Sequence, residues 1–127
     1  MDRFFLATAS IFAFGSVAGG AFGAHALRSK LDEGRLANFE TAMRYAMYHA
    51  LALFVVVWFR TVGPDQVSET IAGVCFVLGV VLFSGSLVAL SLSGVRRWGM
   101  VAPVGGFSLL IGWAALLVAA LLAPLRF

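Results

Sequence analysis

The sequence predicts an all-α integral membrane protein, a four-helix bundle with a short interfacial helix before its second span. Composition is the first reason. Of 127 residues, 61% are hydrophobic and 12% charged, with a mean hydropathy of +0.98, whereas soluble domains carry about 25% charged residues. Four apolar windows, each close to the ~20 residues that a helix needs to cross hydrocarbon, are the second reason. The third is punctuation, because glycine, proline and arginine collect between those windows.

The first window, about residues 4–24, contains no charge. Its charged leader is only Arg3 beside Asp2, and Ala24-His25-Ala26 resembles a signal-cleavage site. The uncharged run exceeds the usual signal core, so a retained span is expected. The second window covers about 45–63, with Arg44 and Arg60 near its ends. Arg60 is expected to snorkel its head to the interface. Gly63-Pro64-Asp65 ends that window. The third covers about 71–93 and stops at Gly94 with Arg96-Arg97 behind it. The fourth covers about 100–122, closed by Pro124. Trp58 and Trp98 fall near span ends, where indoles favour the headgroup layer, and Trp113 lies mid-span as a packing residue.

Between the first two windows, Asp32 is placed to cap a helix that starts near Glu33. Leu36, Phe39, Met43 and Ala46 then follow helical spacing. With no stop signal before Tyr45, this segment is either an interfacial helix that bends into the second span or an extension of it. Glu40 and Arg44 lie four apart, as a helical ion pair would.

Positive charge sets the expected topology. Arg28, Lys30, Arg35, Arg44, Arg96 and Arg97 lie on one side, and Arg3, Arg60 and Arg126 on the other. Six against three places both termini outside the cytoplasm. The same nine cations are scattered, with no run that tracks a phosphate backbone, so no nucleic-acid partner is expected. The expected partners are the lipid bilayer and, through helix packing, further copies of the chain or a larger membrane complex. No cofactor is expected. A single cysteine, Cys75, excludes an internal disulfide and reads as a small core residue.

Helices in lipid gain close contact through small residues. Gly15, Gly19 and Gly23 recur every four residues, beside Ser16, Gly20 and Ala24. Gly85, Ala89 and Ser93, with Cys75 and Gly79, repeat the pattern in the third window, as Ser108 and Gly112 do in the fourth. These rows are expected to pack helices, within the chain or across a subunit boundary.

The polar residues with chemical potential are few: His25, Glu40, Tyr45 and His49, with Tyr48 and the Ser84-Gly85-Ser86 step. His25 and His49 fall on one side of the membrane, and Tyr45 precedes His49 by one turn. At ~1.5 Å per residue His49 lies about 7.5 Å deeper than Arg44. Two readings stay open. His25, Glu40 and His49 form a proton-relay or metal site, or each histidine bonds a carbonyl or hydroxyl and locks the bundle. Three donors barely reach a catalytic zinc set, and Met43 with Met47 reads as packing. Ser84 and Ser86 lack a companion base and are expected to bond the preceding turn or a neighbouring helix.

Gly20-Ala21-Phe22-Gly23-Ala24-His25-Ala26-Leu27, Phe39-Glu40-Thr41-Ala42, Arg44-Tyr45, and Met47-Tyr48-His49-Ala50-Leu51-Ala52 resemble blocks of a small membrane family known as domain of unknown function 423. Phe83-Ser84-Gly85-Ser86-Leu87 and Pro103-Val104-Gly105-Gly106 resemble its later blocks. The resemblance covers nearly the whole chain. It implies a four-span inner-membrane protein, similar to a eukaryotic transmembrane protein of mitochondria; it implies no particular activity, cofactor or catalytic residue and leaves the function open. Ala46 stands where the family pattern has a polar Gln, and Ala102 where it has Thr before the proline. Two functional readings follow: a non-catalytic accessory or scaffolding unit, or a small transporter or channel subunit with a His/Glu proton or metal site near the cytoplasmic face.

Overall fold

A computed structural model describes residues 1–64 and 67–124, with Ala24 described by its backbone alone. Asp65, Arg126 and the Ala24 side chain, on which part of the turn, charge and packing readings rest, lie outside the described residues. The described chain is helical, with four helices long and apolar enough to cross a membrane: Asp2–Gly23, Glu33–Val62, Val67–Ser93 and Arg96–Leu122.

The first of these comprises α1 (Asp2–Ala18) and a π-helical turn (Gly19–Gly23), continued by the short α2 (Ala24–Leu27). A turn and bend then lead to Asp32, whose Oδ1 accepts from Arg35 N at 2.8 Å and caps α3 (Glu33–Val62) as the sequence predicts. α3 is one uninterrupted helix. The interfacial helix expected over its first turns is not a separate element, because no residue between Glu33 and Tyr45 breaks the hydrogen-bond ladder. Val62 ends α3, where Gly63 turns extended while its N–H still bonds Phe59 O. α4 (Val67–Ser93) ends before Gly94, whose φ of +70° suits glycine where an L side chain would be strained. A 3₁₀ turn (Arg96–Met100) leads into α5 (Ala102–Leu122), with Pro103 in its first turn, where no N–H is needed.

The main contacts join α1 to α3, α3 to α4, and α4 to α5. α3 and α4 are the inner pair: 44% and 39% of their most apolar windows are buried, against 17% for the first span. The core runs from Phe5 and Ala9 of α1 through Leu53 and Val56 of α3 and Phe76 of α4 to Leu109 and Leu116 of α5. Close approach comes from glycines. A Cβ on Gly105 would lie 2.3 Å from Phe83 N, so α5 lies backbone against backbone on α4. A Cβ on Gly73 would lie 2.5 Å from the Phe5 ring, where α1 reaches α4. Serines add bonds that lipid cannot compete for: Ser84 Oγ donates to Ala42 O at 2.8 Å and Ser108 Oγ to Cys75 O at 2.9 Å, while Ser86 Oγ bonds back to Phe83 O.

Two details depart from expectation. Cys75 is half-buried, not core, since its side of α4 is only partly covered. Arg60 does not snorkel outward. Its side chain is 9% exposed and donates to the Asp2 carboxylate and to Thr70 Oγ1, which fastens α1, α3 and α4 together at one end.

Candidate functional site

Tyr45 and His49 lie one helical turn apart on α3, so both rings rise from the same face. His49 is buried, at 4% exposure, against Phe76 of α4 and Trp113 of α5. Its Nδ1 lies 2.6 Å from Tyr45 O, and Trp113 Nε1–H donates to its Nε2 at 3.0 Å. An indole only donates, so Nε2 must accept and the proton sits on Nδ1, facing the carbonyl. Both ring nitrogens are thereby occupied. The Tyr45 ring lies 4.8 Å from Phe83 and stacks 6.1 Å from His49. A cleft of about 380 Å³ opens beside this cluster, between Tyr45, Tyr48 and His49 on α3 and Gly106, Leu110 and Trp113 on α5.

The other two candidates do not join it. His25 is exposed on α2, and Glu40 is exposed on α3 in a different groove. The four candidates therefore divide into a buried Tyr45–His49 pair and two separate exposed residues. Among the described residues no three His, Cys, Asp or Glu side chains gather closely enough to hold a metal. Chemically, the His49 cluster works as an interhelical lock: a proton passing through Nε2 would first have to displace Trp113.

Glu40 lines the second cavity, a groove of about 480 Å³ between α1 and α3. Its first wall is Ser16 and Val17 of α1 with Gly20 and Ala21 of the π-helical turn, and its α3 wall is Glu40, Met43, Arg44 and Met47. Glu40 and Arg44 share this groove without the expected ion pair. The predicted packing glycines divide likewise. A Cβ would meet Met43 Sδ at 2.3 Å from Gly19, Phe39 at 2.6 Å from Gly23 and Phe76 at 2.7 Å from Gly112, whereas Gly15 and Gly85 face open space.

Two polar residues escaped the sequence reading. Glu69, in the first turn of α4, is 1% exposed, with both carboxyl oxygens buried and no hydrogen-bond partner among the described residues. It occupies the same face as Ala72, Gly73 and Phe76, and that i, i+3, i+4, i+7 spacing was its only sequence signal. Arg35, read as a topology charge, donates through Nε to Ser91 O at 2.8 Å, 56 residues away. No local pattern announces that bond.

A family model described as "Protein of unknown function (DUF423)" matches residues 19–106. The chain is similar to the UPF0382 membrane protein YwdK of Bacillus subtilis, 40% identical over 118 residues that cover 93% of this chain and 96% of the relative. It is similar to the UPF0382 membrane protein SERP0230 of Staphylococcus epidermidis, 38% identical over 119 residues covering 94% and 96%. The UPF0382 inner membrane protein YgdD of Escherichia coli K12 is 39% identical over 129 aligned positions, covering 94% and 91%. No solved structure matches.

Proposed function

We propose a function from one premise: the chain belongs to the DUF423 family, a family of membrane proteins of unknown function. Its role is that of a non-catalytic accessory unit of the inner membrane that packs with a second copy of itself. Both termini face away from the cytoplasm, and the end carrying Arg28, Lys30, Arg35, Arg96 and Arg97 faces it.

The observation that carries this reading is the groove between α1 and α3. Its first-span wall, Ser16 to Ala21, belongs to a stretch without charge, toward the end of the span Asp2–Gly23. Yet its α3 wall presents Glu40 and Arg44, unpaired with each other. Charges open to hydrocarbon cost several kcal/mol each unless they reach partners or the interface. A two-fold axis through the groove sets Glu40 of one copy against Arg44 of the other, twice, because such an interface is self-complementary. Gly20 and Ala21, both exposed, supply the small-residue surface that lets two backbones approach. The alternative is a transporter or channel subunit with a His/Glu proton or metal site; within one chain His25, Glu40 and His49 lie apart, which supports the accessory reading. The full engagement of the His49 ring favours it too.

The test is charge reversal in lipid nanodiscs, with mass read by native mass spectrometry. The parent is expected to be dimeric, Glu40→Arg or Arg44→Glu alone monomeric, and the double reversal dimeric again. A parent that stays monomeric at every concentration refutes self-association, and single reversals that leave a dimer intact refute this surface.

A further inference from the structure

At the end of the bundle opposite the Asp2–Arg60 clasp, a third cavity of about 480 Å³ opens between the start of α3 and the end of α4. Unlike the two grooves above, its lining is mostly polar: Asp32, Arg35, Asn38 and Arg96, with Gly34, Leu90 and Gly94 as the remaining wall.

Arg35 is set in place here. Its Nε–H bond to Ser91 O fixes the guanidinium across the α3–α4 junction, at the carbonyl end of α4, where a cation is favoured. Gly94 lies beside it: a Cβ there would be in ordinary contact with Arg35 Cζ, at 3.5 Å. Among the described residues Nη1 and Nη2 have no hydrogen-bond partner, and neither do the side chains of Arg96 and Asn38. The cavity thus presents the remaining donors of the Arg35 guanidinium with those of the Arg96 guanidinium and the Asn38 amide. One carboxylate opposes them, that of Asp32, and it already accepts Arg35 N–H. The net charge of the lining is positive, and planar guanidinium forks match the oxygens of a phosphate.

Position narrows the source of that phosphate. The cavity lies where α4 ends, at Ser93, and where Arg28, Lys30 and Arg97 lie close by in sequence. Headgroup phosphates occupy this level at a membrane surface, and basic pockets there take phosphate-bearing lipids. Leu90, one turn into α4, gives the cavity an apolar wall on the side where acyl chains begin.

We propose that this cavity binds the phosphate group of a membrane phospholipid, held by Arg35 and Arg96 with Asn38 beside them.

The full chain, purified in a neutral detergent, is tested by native mass spectrometry for retained lipid and by thermal unfolding. Phosphatidylglycerol is compared with a diacylglycerol of the same acyl chains and with inorganic phosphate alone. The parent is expected to retain phosphatidylglycerol and to be stabilised by it, and to do neither with diacylglycerol. Arg96→Gln, which removes no internal bond, is expected to weaken retention roughly tenfold, the worth of one charge-assisted hydrogen bond. Arg35→Lys keeps the charge but loses the fork and is expected to fall between the two. Arg97→Gln is expected to change nothing, because Arg97 does not line the cavity. Equal retention of phosphatidylglycerol and diacylglycerol overturns the proposal, as does an Arg97→Gln loss equal to that of Arg96→Gln. Unchanged retention in Arg96→Gln does so as well, whether or not Arg35→Lys folds. Stabilisation by inorganic phosphate to the same extent assigns the cavity to a soluble phosphate compound and overturns the lipid assignment.

Discussion

Replacing Trp113 by Phe removes one N–H donor and leaves an aromatic ring against Phe76, whose centroid lies 5.1 Å from the indole. Replacing His49 by Phe keeps a ring against Phe76 and removes the acceptor. These two changes and their combination form a cycle that isolates the Trp113–His49 hydrogen bond, since the double mutant has neither partner left to strand. A neutral hydrogen bond contributes about 0.5–1.5 kcal/mol net, and interhelical ones in membranes average about 0.6 kcal/mol, with a maximum near 1.7. This bond lies at 3.0 Å to a ring held by a second bond and 4% exposed. The expected coupling is therefore in the upper part of that range, about 1–1.5 kcal/mol. Reversible unfolding of the four proteins in bicelles measures it. The indole ¹H–¹⁵N resonance of Trp113 supplies a second reading: it should move upfield in His49→Phe. A coupling indistinguishable from zero, with an unmoved indole signal, refutes the lock and returns His49 to the list of available proton carriers.

Other outcomes follow from the same geometry. Glu69→Leu should raise stability by about 1–3 kcal/mol, because it removes a buried carboxyl that no group satisfies; a lower unfolding midpoint refutes this. Gly105→Ala should cost about 1–3 kcal/mol, since the new Cβ meets Phe83 backbone, which cannot yield as a side chain can. Gly15→Ala, facing open space, should instead gain up to about 1 kcal/mol from helix propensity, and the two unfolding midpoints should move in opposite directions. Asp2→Asn should cost less than about 1 kcal/mol, because Asp2 is 49% exposed and its pair with Arg60 is screened.

What the sequence conveyed was local. The cap at Asp32, the stops at Gly63 and Gly94, and the serine bonds within or across α4 follow from residue type and nearby spacing. So do the four long apolar helices. What it withheld was lateral. Periodicity names a helix face but not its neighbour, so Gly15 and Gly19 looked equivalent, though only Gly19 meets another helix. The bonds that organise the ends and the candidate site span 56 residues for Arg35–Ser91, 58 for Arg60–Asp2 and 64 for Trp113–His49. Each partner carried an adequate local explanation, as a topology charge, a snorkelling cation or a packing indole, which hid the tertiary one. Glu69 was overlooked for a related reason: at the margin of an apolar window a carboxylate ordinarily marks the water boundary.

The π-helical turn at Gly19–Gly23 has a consequence for how the chain tolerates changes in length. In regular α-helical winding a residue every four positions drifts about 40° around the axis per step, and each single residue accounts for about 100°. The wider turn winds part of that drift back, so that Gly19 and Gly23 both stay against α3, at Met43 and Phe39. Because an i→i+5 turn holds one residue more than an α-turn, deleting one residue here restores α-winding and leaves Phe5 and Ala9 on the face they now present. A single deletion in this stretch should thus be tolerated better than a single insertion, which has no slack to take up, whereas an ordinary surface loop accepts either.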